Sequence, residues 1–316
     1  MIDWVGTTGE SHRMPRLKWK PALAESLGPL LRRSLDLAEA HAGSAQADDV
    51  APAEHDAVIA SYNVHKCVGI DRVFDPIRTI GVIAELSADI VALQEVDERF
   101  GDRAGLLDLA LIERECGLVP IPLRPTRKGH GWHGNLVLSR PGAVTSARQM
   151  ALPGGEPRGA LIVDLSLEKG PLRIVAAHLG LLRRSRERQV EAILAAIGSG
   201  PDIPTLLMGD LNEWRLGAKS SLRRLDAAFP APAPLMASFP ARYPVLALDR
   251  IMGNQDGLVV QAAVHDTAMS RLASDHLPVK AWLRFGDGGD RPGGRDEAAD
   301  EASEKRSMYT EMHDAA

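Results

Sequence analysis

Thr205-Leu206-Leu207-Met208-Gly209-Asp210-Leu211-Asn212 is an apolar run that stops on a carboxylate and an amide. A short apolar run closed by turn-forming residues reads as a buried strand. The arrangement recurs on both sides of it. Ala57–Asn63 ends on an amide, Ile90–Gln94 is followed by Glu95, and Leu172–His178 ends on an imidazole. Asp249 interrupts the run Tyr243–Ile251, and Asp275-His276 immediately precedes Leu277–Phe285. Polar groups at strand ends sit on rigid supports and can converge on one rim. Taken singly, each is a turn former, a helix cap or a satisfied polar side chain. Eight such positions with complementary chemistry, Asn63, Glu95, His178, Asp210, Asn212, Asp249, Asp275 and His276, point instead to one site.

Working outward, Asp75–Leu86, Leu106–Cys116 and Arg184–Ile197 carry helical periodicity, and Asn135–Ser139, Ala143–Met150, Ala160–Leu167 and Leu258–Val264 read as further strands. Strands outnumber helices and several follow one another directly. The pattern calls for a mixed sheet or two packed sheets with helices outside. Residues 1–54 form an extension with an amphipathic helix over Pro21–His41 and a polar linker. Residues 55–286 form the main domain, and 287–316 a disordered acidic tail.

The 316 residues are 45% hydrophobic, enough for a sizeable core, with a formal charge of -5. An acidic chain with 4% aromatic residues lacks the basic, aromatic-rich groove of single-strand binders. Cys67 and Cys116 make neither a disulfide framework nor a metal spacing. No run approaches about 18 consecutive apolar residues, and the N-terminus lacks a signal pattern. The expectation is a cytoplasmic protein, with peripheral membrane contact through the N-terminal helix as a minor alternative.

The series Tyr62-Asn63-Val64-His65-Lys66, Leu93-Gln94-Glu95-Val96, Gly134-Asn135-Leu136-Val137-Leu138-Ser139-Arg140, His178-Leu179-Gly180, Gly209-Asp210-Leu211-Asn212, Leu248-Asp249-Arg250-Ile251 and Ser274-Asp275-His276-Leu277-Pro278 resembles the ordered motifs of the endonuclease/exonuclease/phosphatase superfamily. The resemblance implies a four-layered α/β sandwich, two central sheets flanked by helices, with the site at one end. It implies a Mg²⁺-dependent hydrolase of phosphodiesters in nucleic acid, a phospholipid headgroup or a small molecule, with Mn²⁺ as substitute. A non-catalytic member that binds phosphorylated ligands or a protein partner is the alternative.

Glu95 is a hard oxygen ligand suited to Mg²⁺, with Asn63 supplying a neutral oxygen to the ion or a hydrogen bond to phosphate. Asp275 is a candidate second metal ligand. Asp210 is the candidate base that aligns water, and the family pattern gives Asn212 a hold on phosphate, both facing one side if the strand continues. Asp249 would orient His276, whose protonated ring donates to a phosphoryl oxygen. His178, as in the DNase, sphingomyelinase and inositol-phosphatase branches, is a phosphate donor or leaving-group acid. Arg158 is a candidate phosphate ligand. His65-Lys66 and Gly129–His133 are possible substrate walls, and the arginines at 183, 184, 186 and 188 read as a solvated helix face.

Overall fold

Successive side chains of a strand point to opposite faces of its sheet, so a strand apolar at every position must be covered on both sides. The computed structural model describes residues 51–286, apart from 53, 99–100, 125–127, 199–201 and 231–234. The helix expected over Pro21–His41 and the acidic tail lie outside the described residues. The strands are β1 (Ala57–Asn63), β2 (Ile90–Gln94), β3 (Val119–Pro120), β4 (Leu136–Ser139), β5 (Val144–Leu152), β6 (Arg158–Leu167), β7 (Gly170–Ala177), β8 (Thr205–Asp210), β9 (Asp249–Gly253), β10 (Val259–Val264) and β11 (Val279–Leu283). The helices are α1 (Pro76–Leu86), α2 (Leu109–Cys116), α3 (Arg183–Gly198) and α4 (Ala268–Ala273).

One sheet has the order β10-β11-β1-β2-β4-β3 and the other β5-β6-β7-β8-β9. Along β2, Ile90 and Ala92 enter a core shared with Leu161, Ile174, Met208 and Ile251 of the opposite sheet. Val91 and Leu93 turn outward beneath Ile80 and Ile83 of α1 and Ile112 of α2. On β7, Ile174 and Ala176 face inward, while Val175 and Ala177 pack under Val190 and Ile193 of α3. Helices, sheet, sheet and helix therefore stack as the expected four-layered α/β sandwich.

Local chemistry sets the element ends. Asp75 caps α1 by accepting from the Arg78 N–H (2.9 Å), with Pro76 at the first helical position. Asp108 caps α2 through the Leu111 N–H (3.0 Å), so this helix starts later than Leu106. The strand read over Tyr243–Ile251 is confined to Asp249–Gly253. Its first half is a hairpin in which the Val245 and Leu246 N–H groups donate to the Phe239 carbonyl (2.9 and 2.8 Å). Both cysteines are free, and burial pushes the Cys67 thiol up to about 12 and the Cys116 thiol to about 11.

Candidate active site

Strand register assembles the site. β8 pairs antiparallel with β9 so that Asp210 lies directly opposite Asp249, and β1 pairs parallel with β2 so that Asn63 lies opposite Gln94, one residue before Glu95. Gly209 makes the first arrangement possible. Its φ is +140°, and a Cβ there would sit 1.9 Å from the Ala177 carbonyl oxygen of β7.

Asp210 is the hub, 2% exposed. Its Oδ2 accepts from Asn63 Nδ2 (3.0 Å) and faces Nε2 of His178 (3.4 Å) and Nε2 of His276 (3.8 Å). Its Oδ1 accepts from the Asn212 backbone N–H (3.0 Å). Burial raises the Asp210 carboxyl to about 7, with the neighbouring Asp249 charge adding to the rise against the opposing pull of His276, Asn63 and Asn212. His276 Nδ1 lies 2.7 Å from Asp249 Oδ2. Burial works against protonation of that imidazole, but the Asp249 carboxylate outweighs it and lifts the ring to about 10. Ser238 Oγ donates to the same Asp249 oxygen (2.6 Å), and the Phe239 ring packs on His276 at 4.8 Å between centroids. Neither residue was singled out from the sequence; both lie just before the stretch read as strand, so no strand-end signal marked them.

Glu95 and Arg158 stand beside this hub. Lys66, Glu95, Asp97, Arg103, His133, Arg158 and His178 line one open cavity. Burial disfavours the charged form of Glu95, yet a hydrogen bond and ion pair from Lys66, with His65 and Arg158 behind it, hold the carboxyl below its usual range. Arg158 Nη1 lies 2.8 Å from Nδ1 and 2.7 Å from Nε2 of His178, and Glu156 anchors the rest of the guanidinium (3.2 and 3.0 Å). An arginine N–H can only donate, so one ring nitrogen of His178 accepts from it. Asp275 sits at the rim, 3.7 Å from His65 Nδ1, and its neighbour Ser274 donates to the Asn63 carbonyl (2.7 Å). The two expected substrate walls thus contribute Lys66 and His133 to the cavity.

Two expectations change. The strand does not continue to Asn212: β8 ends at Asp210, and Asn212 adopts φ +53° with Nδ2 donating to the Leu179 carbonyl (2.9 Å). The hydrogen bonds of a tight turn, not strand periodicity, place it. Arg186 does not belong to a solvated face. It is 1% exposed and donates to Glu213 (3.1 Å), Ser221 (2.8 Å) and the Leu181 carbonyl (2.7 Å), locking the loop after Asn212 to α3.

The donor set suits a divalent ion. Glu95, Asp275 and Asn63 offer hard oxygens of the kind a divalent ion takes, and Glu95 is paired with the Lys66 ammonium. Ligand atoms of Asp210, Asp249 and His276 lie within 4.8 Å of one another, a group that could hold a metal, and Asp249 Oδ1 is buried without a hydrogen-bond partner among the described residues.

A family model described as the Endonuclease/Exonuclease/phosphatase family matches residues 60–276. No curated protein matches the chain. Among solved structures, the chain is similar to the endonuclease/exonuclease/phosphatase from Beutenbergia cavernae DSM 12333, with 22% identity, a TM-score of 0.58 and coverage of 74% of this chain and 72% of that one. It is similar to the endonuclease/exonuclease/phosphatase from Bacteroides vulgatus, with 16% identity, a TM-score of 0.54 and coverage of 73% and 100%. It also resembles D. rerio TDP2, solved with a single strand DNA product, with 15% identity, a TM-score of 0.51 and coverage of 72% and 99%. At these identities the likeness shows the fold. No helix among the described residues is long and apolar enough to cross a membrane.

Proposed function

Because the chain belongs to the endonuclease/exonuclease/phosphatase family, we propose that it is a metal-dependent phosphoric ester hydrolase that cleaves a phosphodiester by in-line attack of water. The observation that carries this reading is the Asp210 carboxylate, buried, raised in pKa and faced by two imidazoles at 3.4 and 3.8 Å. A carboxyl raised toward neutrality can take a proton from water, a task its ordinary form performs poorly. Asn63 and the Asn212 N–H hold its two oxygens so that it has one orientation.

His276, kept protonated by Asp249, presents Nε2 to the centre and donates to a phosphoryl oxygen. Arg158 supplies positive charge from β6 and donates to a ring nitrogen of His178, whose Nε2 faces Asp210 at 3.4 Å, so His178 would orient Asp210 and the phosphate rather than protonate a leaving group. Glu95, Asn63 and Asp275 would hold Mg²⁺. When bound, the ion would act as a Lewis acid on the phosphoryl group. Glu95, Asp210 and His276 are all present, which weighs against a non-catalytic member.

Turnover of a chromogenic phosphodiester with Mg²⁺, Mn²⁺ or EDTA tests the reading. Metal-dependent hydrolysis abolished by EDTA is expected. Pure, metal-replete protein that turns over neither that ester nor DNA, RNA, phospholipid or inositol phosphate would sink it.

A further inference from the structure

Exposed large apolar side chains are normal when scattered and informative when gathered. Among the described residues they are gathered. All fall in segments that join strands at the end carrying Asn63, His178, Asp210 and His276. The opposite turns at 140–143, 168–169 and 254–258 expose none.

On one side of the site, Ile70, Val73 and Phe74 stand out in the loop after β1. The Ile70 N–H donates to the carbonyl of Leu272 (3.1 Å), another exposed residue, joining that loop to α4. On the other side, Leu181 and Leu182 follow His178, and the Arg186–Glu213 pair ties them to exposed Trp214 and Leu216. Between the two arcs the hairpin around Phe239 and Leu246 carries Tyr243 and Val245 at its tip, 69% and 72% exposed. The root of that hairpin is Ser238-Phe239, which holds Asp249 and His276. Apolar tips and reacting groups therefore ride on the same segments.

The charge of this rim is opposite to that of the chain. Residues 178–185 contain two arginines and no carboxylate, and 211–248 contain five Lys or Arg against two acids, in a protein of net charge -5. Two of the three aromatic rings already carry a guanidinium: Arg215 lies 4.7 Å from the Trp214 centroid and Arg242 5.6 Å from that of Tyr243. Stacking on nucleic-acid bases requires free ring faces, and most of the rim is aliphatic. Aliphatic tips beside Trp, Tyr and arginine match acyl chains below phosphate headgroups.

Resting on the phosphoesterase reading, we propose that this rim docks the protein on an anionic phospholipid surface and that the ester cleaved is a phosphodiester of a membrane lipid. The lipid P–O bond is broken by water, the departing oxygen leaves with a proton, and no redox partner is involved. The full chain is sedimented with vesicles of phosphatidylcholine containing about 30% phosphatidylglycerol, and turnover of those lipids and of a soluble chromogenic phosphodiester is measured alongside. Wild type should sediment with the vesicles, less so in high salt, and release headgroup product. Phe74→Glu, Leu182→Glu and Val245→Glu should each lower vesicle partitioning about tenfold, equivalent to about 1.4 kcal/mol, with hydrolysis of the soluble ester unchanged. Because these side chains are exposed, their melting temperatures should match wild type, and Leu182→Ser supplies a milder second case.

Soluble-ester turnover without vesicle sedimentation overturns docking and leaves the phosphoesterase reading standing. Vesicle sedimentation without turnover of any ester overturns the lipid-substrate step together with that reading. Variants that instead lose retention of a single-stranded oligonucleotide, or that dissociate a dimer of this chain, overturn the lipid assignment in favour of those occupants.

Discussion

In the proposed reaction Asp210 concentrates the chemistry in one side chain. Its Oδ2 meets an amide and two imidazoles, and its Oδ1 a backbone N–H. Asp210→Asn keeps the shape and removes the base, so kcat should fall by about 10²–10⁴ while circular dichroism and cooperative unfolding persist. Near-normal turnover would remove Asp210 as the base. The pH dependence has a definite sign. The Asp210 carboxyl, lifted mainly by burial to about 7, must lose its proton to act, so the rate should rise with pH across that region. His276, held up to about 10 by Asp249 against burial, must keep its proton, so the rate should fall as pH climbs through that value. A bell between these limbs in a pH–rate profile is the expected result, and Asp210→Asn should abolish the acid limb. A raised carboxyl pKa also means that folding favours the protonated form. The wild type therefore loses stability relative to Asp210→Asn as pH rises from about 4 toward 7, which paired melting curves would show. Glu95→Gln should raise the half-saturating Mg²⁺ concentration at least about tenfold. An unchanged Mg²⁺ titration would exclude Glu95 as a principal ligand.

At the scale of elements, the loop after β8 is held by a buried latch. Glu213 accepts from Arg186, from the Ser221 N–H (2.9 Å) and hydroxyl (2.6 Å), and from the Arg215 N–H (2.9 Å). Burial alone would raise this carboxyl, but those donors outweigh it and bring it down to about 2. Glu213→Ala leaves the Arg186 charge buried without its partner and should cost about 3–5 kcal/mol in urea unfolding. The depressed pKa sets the window. The stabilisation is fully present above the ordinary carboxyl value and is lost as pH falls through about 2, so the two proteins should converge in stability over that range. An equal gap at every pH would contradict this. Such a latch is hard to read from sequence because Arg186 and Glu213 are 27 positions apart and each looks like an ordinary surface charge. The strand ends were legible for the opposite reason. Asn63, Glu95, His178 and Asp210 each close an apolar run, and the run itself announces the support. Asn212 was legible as a motif and misplaced as a strand residue, since its left-handed backbone arises from a turn that periodicity does not encode.

Across the whole molecule, the apolar runs that were legible in Ile90–Gln94 and Leu172–Ala177 are covered on both faces, by the opposite sheet and by helices, and the four layers follow from it. What local pattern cannot supply is strand order, because neighbours in a sheet are chosen by long-range pairing. β1 and β11 illustrate this. They come from opposite ends of the described chain yet pair antiparallel from Ala57↔Leu283 to Ser61↔Val279, in the interior of the six-stranded sheet. The family match spans residues 60–276 and so stops short of β11 and enters β1 partway. A polypeptide cut to 60–276 would leave β10 without its strand neighbour β11 and uncover Ile90, Ala92 and the rest of the inter-sheet core along the β1 edge. Ile59, Val279 and Leu283, all lost in that cut, are each buried, and burying one such side chain is worth about 1.5–3 kcal/mol, so their joint loss rivals the whole stability of an ordinary domain, about 5–15 kcal/mol. The polypeptide 51–286 keeps both strands and should melt in one cooperative transition, whereas 60–276 should show none by calorimetry and should be digested rapidly by protease. Cooperative melting of 60–276 would mean that β11 is dispensable and that the sandwich closes by some other pairing.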